Sequence, residues 1–417
     1  MRHKALFSKE KAGHYAACLL GERIMKNKEY IRGIITGVVF SLAVGAGGYA
    51  GFRLGDKGVL SDREHVQKLK YLEHLIQEEY LGEADQEALA EGLYIGLVYG
   101  LGDDYSRYYT AQEYQQENSS TTGSYVGIGI AMQKNEEGGV KIAECYEGGP
   151  GEQAGLKVGD IISAVNGTDI MEMDTSQVAE LVRNSQKDQV VLTIHRMGVE
   201  KPLKLNVKIT DVELPSVFSE MLENKIGYIR ISQFMEVTPG QYREAFETLQ
   251  NQGMEKLVVD LRGNPGGLLT SVCSILGDIL PEGLIVYTED KYGNRQEERS
   301  GGKSTLTIPL AVLVNENSAS ASEIFAGAVK DYGIGTIVGT TTFGKGVVQE
   351  LHPLSDGSAV KLTVSNYYTP KGKSIHEVGI EPDVEVKLAP ELLNKEEITH
   401  EEDNQLQEAL KILEREM

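Results

Sequence analysis

Three short stretches of this chain hold side chains that could act on a carbonyl group. The first, Asn315-Glu316-Asn317-Ser318-Ala319-Ser320-Ala321-Ser322-Glu323, follows an apolar run and opens a helical one. A serine at such a junction has its hydroxyl beside the first N–H groups of the helix and the positive end of its dipole. That arrangement can stabilise an oxyanion. The same segment also reads as a helix start, because Ser320-x-x-Glu323 has the spacing of a capping box. On this stretch alone, capping is the simpler reading.

The second stretch, Thr342-Phe343-Gly344-Lys345-Gly346-Val347-Val348-Gln349, sets a lysine between two glycines in an apolar, strand-like segment. A solvated surface charge explains that placement poorly. Burial would desolvate the ammonium and lower its pKa, leaving a neutral amine able to take a proton from a serine. Pairing with a carboxylate is the structural alternative. Gln349 lies on the same face of a regular element, but a straight strand would separate it from Lys345 by roughly 13 Å. Contact between the two therefore requires an irregular backbone. The third stretch, Val258-Val259-Asp260-Leu261-Arg262-Gly263-Asn264-Pro265-Gly266-Gly267, runs from a strand into a Gly/Pro turn. Backbone N–H groups in such a turn can point at a substrate carbonyl, although a plain tight turn would read the same way.

Several other chemistries lack support. The GxxxxGK[ST] pattern of a phosphate loop is missing, and Lys345 has no Ser/Thr after it. There is no GxSxG, GDSGG or HExxH, and the eight histidines are scattered, so neither a classical triad nor a metal site is indicated. No cofactor is implied. The three cysteines, Cys18, Cys145 and Cys273, are too few for a disulfide framework, and free buried thiols are preferred over a Cys145–Cys273 bridge.

The elements that must position these groups follow from periodicity. Residues 209–390 alternate strands with helices: KIGYIRISQF, PGQYREAFETLQNQG, KLVVDLRG, LLTSVCSILGDIL, IPLAVLVNE, ASEIFAGAVKDY, then TIVGT and AVKLTVSNYYT. That order predicts a largely parallel sheet covered by helices. Residues 60–118 read as a helical segment, with Val66, Leu69, Leu72, Leu75 and Ile76 on one stripe. The tail at 391–417 reads as an acidic surface helix.

Residues 119–208 are different, with short strands and Gly-rich turns. GPGEQAGLKVGDIISAVNG resembles the hallmark of bacterial PDZ domains, and Tyr125-Val126-Gly127-Ile128-Gly129-Ile130 resembles the loop and strand that receive a peptide C-terminus. The physics agrees. Glycines let successive N–H groups converge on a carboxylate, and the strand edge pairs with the peptide backbone. Ile128 and Ile130 can line a pocket for an apolar terminal residue. Arg183 and Arg196 could assist carboxylate recognition, though solvated surface arginines are the simpler reading.

The 417-residue chain carries a net charge of −21, distributed unevenly. Residues 1–32 hold eight Lys/Arg against three Glu, a net +5, which leaves −26 for the rest. Such acidity argues against nucleic acid as a partner. Between Arg32 and Arg53 the run GIITGVVFSLAVGAGGYAGF has no charge. A helix over 33–53 would span roughly 30 Å, enough to cross a bilayer. The basic leader places residues 1–32 in the cytoplasm and the remainder outside. A retained signal anchor is expected over a cleaved signal peptide, although the small residues AVGAGGYAG offer a cleavage site.

Taken together, YGLGDDYSRYYTAQE, GYIRISQF, DLRGNPGG, NENSASASEIFAGAVKDY, TFGKGVVQ and YYTPKGKSIHEVGIEPDVEV resemble the C-terminal processing (tail-specific) proteases, the PDZ-containing Ser/Lys peptidases of family S41A. The likeness covers about residues 65–390. It implies an α/β multidomain fold, with a PDZ domain beside a crotonase/ClpP-like α/β protease core. Ser320 would be the nucleophile, Lys345 its general base and Gln349 the residue that orients the lysine. The N–H groups of Gly266 and Ala321 would form the oxyanion hole. The implied activity is endopeptidase cleavage of extracytoplasmic proteins with apolar C-termini, at a bacterial cell membrane. Terminal segments often mediate dimerisation in this family. A regulatory adaptor or an activating protease is a further partner that the resemblance allows. Two rivals from other classes are a tethered PDZ scaffold with an inactive protease fold and a crotonase-like acyl enzyme.

Overall fold

The computed structural model describes residues 58–185, 188–303, 305–395 and 397–415. The membrane segment expected at 33–53 and its basic leader lie outside these residues. Among the described residues, no helix is long and apolar enough to cross a membrane. The chain divides into two compact units, one ending at Ala90 and the other running from Glu91.

Helix α1 (Arg63–Glu79) starts where the Asp62 side chain accepts the Glu64 N–H. Its predicted stripe is only half-buried, and Leu72 is exposed. Helix α2 (Gln86–Tyr99) follows, and it too has no buried residue. The expectation of a purely helical 60–118 segment needs one correction. Arg107–Tyr109 forms strand β1, which pairs antiparallel with a late strand of the protease region. Arg107 is exposed while Tyr108 and Tyr109 are both buried there, and a triplet is too short to show a strand's period in the sequence. Helix α3 (Ala111–Thr122) then leads into β2 (Ser124–Gly127).

The PDZ-like region is an antiparallel sheet of β3 (Ile130–Lys134), β4 (Val140–Cys145), β5 (Ile161–Val165), β6 (Thr168–Asp169), β7 (Gln189–His195) and β8 (Leu203–Lys208). The short helix α4 (Pro150–Gln153) lies between β4 and β5, and α5 (Thr175–Arg183) between β6 and β7. Asp174 and Gln177 cap α5 reciprocally, each side chain accepting the other's backbone N–H at 2.9 Å. Val140, Ile142, Val165, Val178, Leu192 and Val207 are fully buried in the core of this region. A two-stranded ribbon of β2 and β9 (Thr210–Glu213) closes it.

The protease region is built on a sheet ordered β10 (Val217–Leu222), β11 (Ile226–Ile231), β12 (Lys256–Asp260), β15 (Leu310–Val314), β16 (Thr336–Gly339) and β19 (Val384–Glu385). All its pairings are parallel except that of β10, the antiparallel edge. Alternation within these strands sorts their side chains to two faces. Ile229, Val259 and Val312 pack among α6 (Thr238–Asn251), α7 (Leu269–Ile279) and α8 (Ala321–Tyr332). Tyr228, Val258, Ala311 and Leu313 face the other way, against Leu406, Ala409 and Leu413 of α9 (Asn404–Arg415). The acidic tail is thus a packed layer of the core, and Asp403, just before the helix, is buried against Arg262.

A second sheet completes the region, made of the hairpin β13 (Gly283–Asp290) and β14 (Arg295–Ser300), the hairpin β17 (Val347–Pro353) and β18 (Ala359–Tyr368), and β1. Cys145 and Cys273 are free thiols, the latter buried.

Candidate active site

The carboxyl ends of β12 and β15 lie side by side, and the loops that leave them carry the first and third stretches. All five residues of β15 are buried, which fixes where the chain turns. At the turn, Asn315 Oδ1 accepts the Gly263 N–H at 2.9 Å and so ties one loop to the other. The three serines of Ser318-Ala319-Ser320-Ala321-Ser322 then separate by environment. Ser318 is fully buried and donates its hydroxyl to Leu261 O at 2.8 Å. Ser322 is equally buried and donates to Asn264 O at 3.0 Å. Ser320, half-buried, lines a cleft of about 440 Å³.

Ser320 has φ 53° and ψ −113°, in a region that residues bearing a Cβ seldom adopt. The surrounding bonds hold this strained residue at the start of α8. Its N–H donates to Glu323 Oε2 at 2.8 Å, the carboxylate half of a capping box.

Lys345 lies in the same cleft wall. It sits on residues 341–346, which belong to no helix or strand, just before β17. Its neighbour Gly346 must lack a side chain, because a Cβ there would stand 2.3 Å from the His376 nitrogen. The Lys345 carbonyl accepts the buried Tyr367 hydroxyl, and its Nζ lies 4.8 Å from the Tyr105 ring centroid. Burial pushes the Lys345 amine below its ordinary range, and the nearby Lys361 cation adds to that. Glu117, Asp103 and Glu323 oppose it. An amine held partly dry in the cleft that Ser320 also lines is suited to proton transfer.

Gln349 lines the cleft and donates to Thr363 Oγ1 at 3.3 Å. The register of β17 against β18 shifts between Val348 and Gln349. Ala321 also lines the cleft, and as the first residue of α8 its N–H has no partner within the helix. Gly266 has φ 103°, and a Cβ there would stand 2.7 Å from Ser320 Cβ, so only glycine permits this approach. As the loop stands, however, the Gly266 N–H donates to Asn264 Oδ1 at 2.8 Å, and the loop residues exposed to the cleft are Pro265 and Gly267.

A larger groove of about 890 Å³ lies between α5 and the β2–β3 edge. Tyr125, Val126, Gly127, Ile128 and Ile130 line it. Gly129 does not, and turns instead against Pro150 at the start of α4. Burial pushes the Tyr125 hydroxyl up to about 12. Arg183, at the end of α5, lines the groove. Arg196 faces elsewhere, forking onto buried Asp160 with two bonds of 2.7 Å, so its role is in holding the domain together.

Four residues of the cleft region escaped the sequence reading: Glu323 beyond its capping role, Lys361, Tyr367 and Glu117. Lys361 is the one basic residue of the strand AVKLTVSNYYT, a signal of the same kind as Lys345. Among the described residues, no group of three or more His, Cys, Asp or Glu side chains is placed to hold a metal ion.

The model of peptidase family S41 matches residues 225–386, and a PDZ-domain model matches residues 141–196. The chain is 37% identical over 333 residues to carboxy-terminal processing protease CtpB of Bacillus subtilis, covering 77% of this chain and 68% of that one. It is 33% identical over 336 residues to CtpA of the same organism, covering 80% and 72%. A CtpA-like serine protease of Staphylococcus epidermidis is 35% identical over 327 residues, covering 78% of this chain and 66% of that one.

Proposed function

The chain belongs to peptidase family S41, as a PDZ-containing serine protease of the carboxy-terminal processing kind, and from that footing we propose that Ser320 and Lys345 form its catalytic dyad. One observation carries this reading. Of the three serines in the loop, Ser318 and Ser322 give their hydroxyls to backbone carbonyls, while Ser320 shares a cleft with the only lysine flanked by two glycines.

The chemistry then follows from the groups present. Ser320 Oγ attacks the scissile carbonyl carbon as Lys345 Nζ takes its proton. Negative charge on the carbonyl oxygen is met by the Ala321 N–H at the positive end of α8, and by the Gly266 N–H turning from Asn264 Oδ1. Collapse expels the new amine, which receives the proton from Lys345, and leaves an ester on Ser320. A water deprotonated by Lys345 hydrolyses that ester and frees the serine. Gln349 keeps the lysine facing the serine. The groove at Tyr125–Ile130 takes an apolar protein C-terminus, by strand addition along its edge and burial of the last side chain against Ile128 and Ile130. Residues 33–53 anchor the chain, with the catalytic part outside the cytoplasm. The apolar side chains exposed on α1 (Tyr71, Leu72) and on α2 (Leu93, Leu97) support a homodimer.

The test uses the full chain in detergent, as wild type, Ser320→Ala and Lys345→Ala, incubated with an unstructured protein ending in apolar residues. Mass spectrometry reads the products. Cleavage by the wild type alone is expected, with a loss of about 10⁴-fold or more in Ser320→Ala. Undiminished cleavage by either variant would sink the dyad. Binding of the tail without cleavage by any form would favour the scaffold reading.

A further inference from the structure

We propose that Glu323 is the positioning residue that holds the base-bearing loop in register with the nucleophile, a role beyond capping its helix. The inference rests on the Ser320/Lys345 reading. Its observation is a single fully buried carboxylate that accepts four donors from both sides of the dyad. Oε2 takes the Ser320 N–H at 2.8 Å and the Lys345 N–H at 2.9 Å. Oε1 takes the Thr342 hydroxyl at 2.6 Å and the Gly344 N–H at 2.7 Å.

The loop at 341–346 belongs to no sheet ladder, so hydrogen bonds of this kind must fix it. Neighbouring bonds help: Phe343 N–H donates to Ser318 O at 3.0 Å, Thr342 N–H to Ile380 O at 3.2 Å, Glu377 N–H to Gly344 O at 2.8 Å and Tyr367 N–H to Gly346 O at 3.0 Å. Thr342 Oγ1 in turn accepts the Ile380 N–H at 2.7 Å. The backbone N–H groups of both dyad residues nevertheless converge on one oxygen of Glu323. An ordinary capping box needs only the first of these bonds, and the other three reach across to the lysine loop.

The site calls for a carboxylate in particular. Four donors need four lone-pair positions, which an ionised carboxylate offers. A glutamine would turn its NH₂ toward two groups that are themselves donors, leaving a buried cluster partly unsatisfied. The negative charge also acts on the base. Lys345 is faced by the cation Lys361, the anions Glu117 and Asp103, the Tyr105 ring and Glu323 itself. Removing the Glu323 charge takes away one influence that favours the protonated amine.

The experiment compares the full-length wild type with Glu323→Gln, Thr342→Val, Thr342→Ser and Ser320→Ala on a short peptide substrate. kcat and KM are measured across pH, and circular dichroism gives the folded fraction. Per folded molecule, Glu323→Gln is expected to lose about 10²-fold in kcat. Its KM should stay within about twofold, and the acid limb of its pH profile should move to lower pH. Thr342→Val removes one of the four donors and should lose kcat in the same sense, with Thr342→Ser restoring it. A pure capping role would lower the folded fraction and leave the acid limb where it was, and that result would overturn the proposal. Should Glu323→Gln not fold, the Thr342 pair decides, since a folded Thr342→Val with wild-type kcat would overturn it equally. Wild-type activity in Ser320→Ala would instead remove the dyad reading beneath the proposal.

Discussion

Lys361 Nζ lies 2.7 Å from Glu117 Oε1, and this ion pair forms part of the wall of the cleft that holds Ser320 and Lys345. Its two members pull the dyad lysine in opposite directions, since Lys361 lowers the Lys345 pKa and Glu117 raises it. A base works only in its neutral form, so activity rises as pH climbs through the Lys345 pKa. Lys361→Met removes a depressing cation, raises that pKa and should move the acid limb of kcat/KM to higher pH. Glu117→Gln removes the opposing anion and should move it to lower pH. Profiles that shift the same way in both variants, or not at all, would show that the pair does not act on Lys345.

Asn264 is fully buried and holds the turn around Gly266 by three routes. Its Nδ2 donates to Ile231 O at 2.9 Å, its Oδ1 accepts the Gly266 N–H, and its carbonyl accepts from Ala319 and Ser322. Asn264→Ala leaves the first two partners unpaired, and should cost about 1–3 kcal/mol of stability. A fall in kcat of roughly 10²-fold is also expected, because the oxyanion donors lose their setting. Chemical denaturation and steady-state kinetics check both. Normal kcat in a destabilised protein would mean that the turn only supports the fold.

Val126 is about half exposed and lines the groove beside the proposed site for the tail carboxylate. Val126→Glu puts a like charge there without touching the core. Affinity for a peptide with an apolar C-terminus should fall by about tenfold or more. Stability should stay within about 0.5 kcal/mol. Fluorescence anisotropy with a labelled peptide reads the first, and thermal melting the second. Unchanged affinity would place the tail elsewhere.

Much of this site was legible in the sequence because its parts break local rules. A lysine among apolar residues and a Gly/Pro turn after a strand both ask for a special environment, and the structure puts both beside one cleft. The alternating strands and helices of 209–390 also point to the parallel sheet, but AVKLTVSNYYT belongs to the antiparallel second sheet as β18. Long-range relations were not legible. Nothing local says that Arg107–Tyr109 pairs with Ala359–Lys361, because partner choice depends on residues about 250 positions away. In the sequence Glu323 shows only as a cap, because three-residue spacing reveals the near partner and hides the donors on the lysine loop. The tail looked like a surface helix because its many acids outweighed the Leu406–Ala409–Leu413 stripe that packs on the sheet.

That docked tail rests on a buried charge cluster, which gives a last prediction. Arg262 Nη2 lies 2.6 Å from Asp260 Oδ2 and 2.7 Å from Asp403 Oδ2, at the start of the last helix. The Tyr228 hydroxyl donates to Asp260 at 2.8 Å. Asp260 and Asp403 are both buried, so Arg262→Met would leave two anions without a cation. A loss of about 3–5 kcal/mol in unfolding free energy is expected. Acid should act through the same cluster. Burial alone would raise the Asp403 carboxyl, but Arg262 and the N–H groups of Leu406 and Gln405 together outweigh it and hold the carboxyl below its ordinary range. A lowered folded pKa gives stability that is present above the unfolded value of about 3.9 and is lost as pH falls through the folded one. Melting curves between neutral pH and about pH 2.5 should therefore fall less steeply below about pH 4 in Asp403→Asn than in the wild type. Equal slopes in the two proteins would mean that the tail is held by its apolar stripe alone.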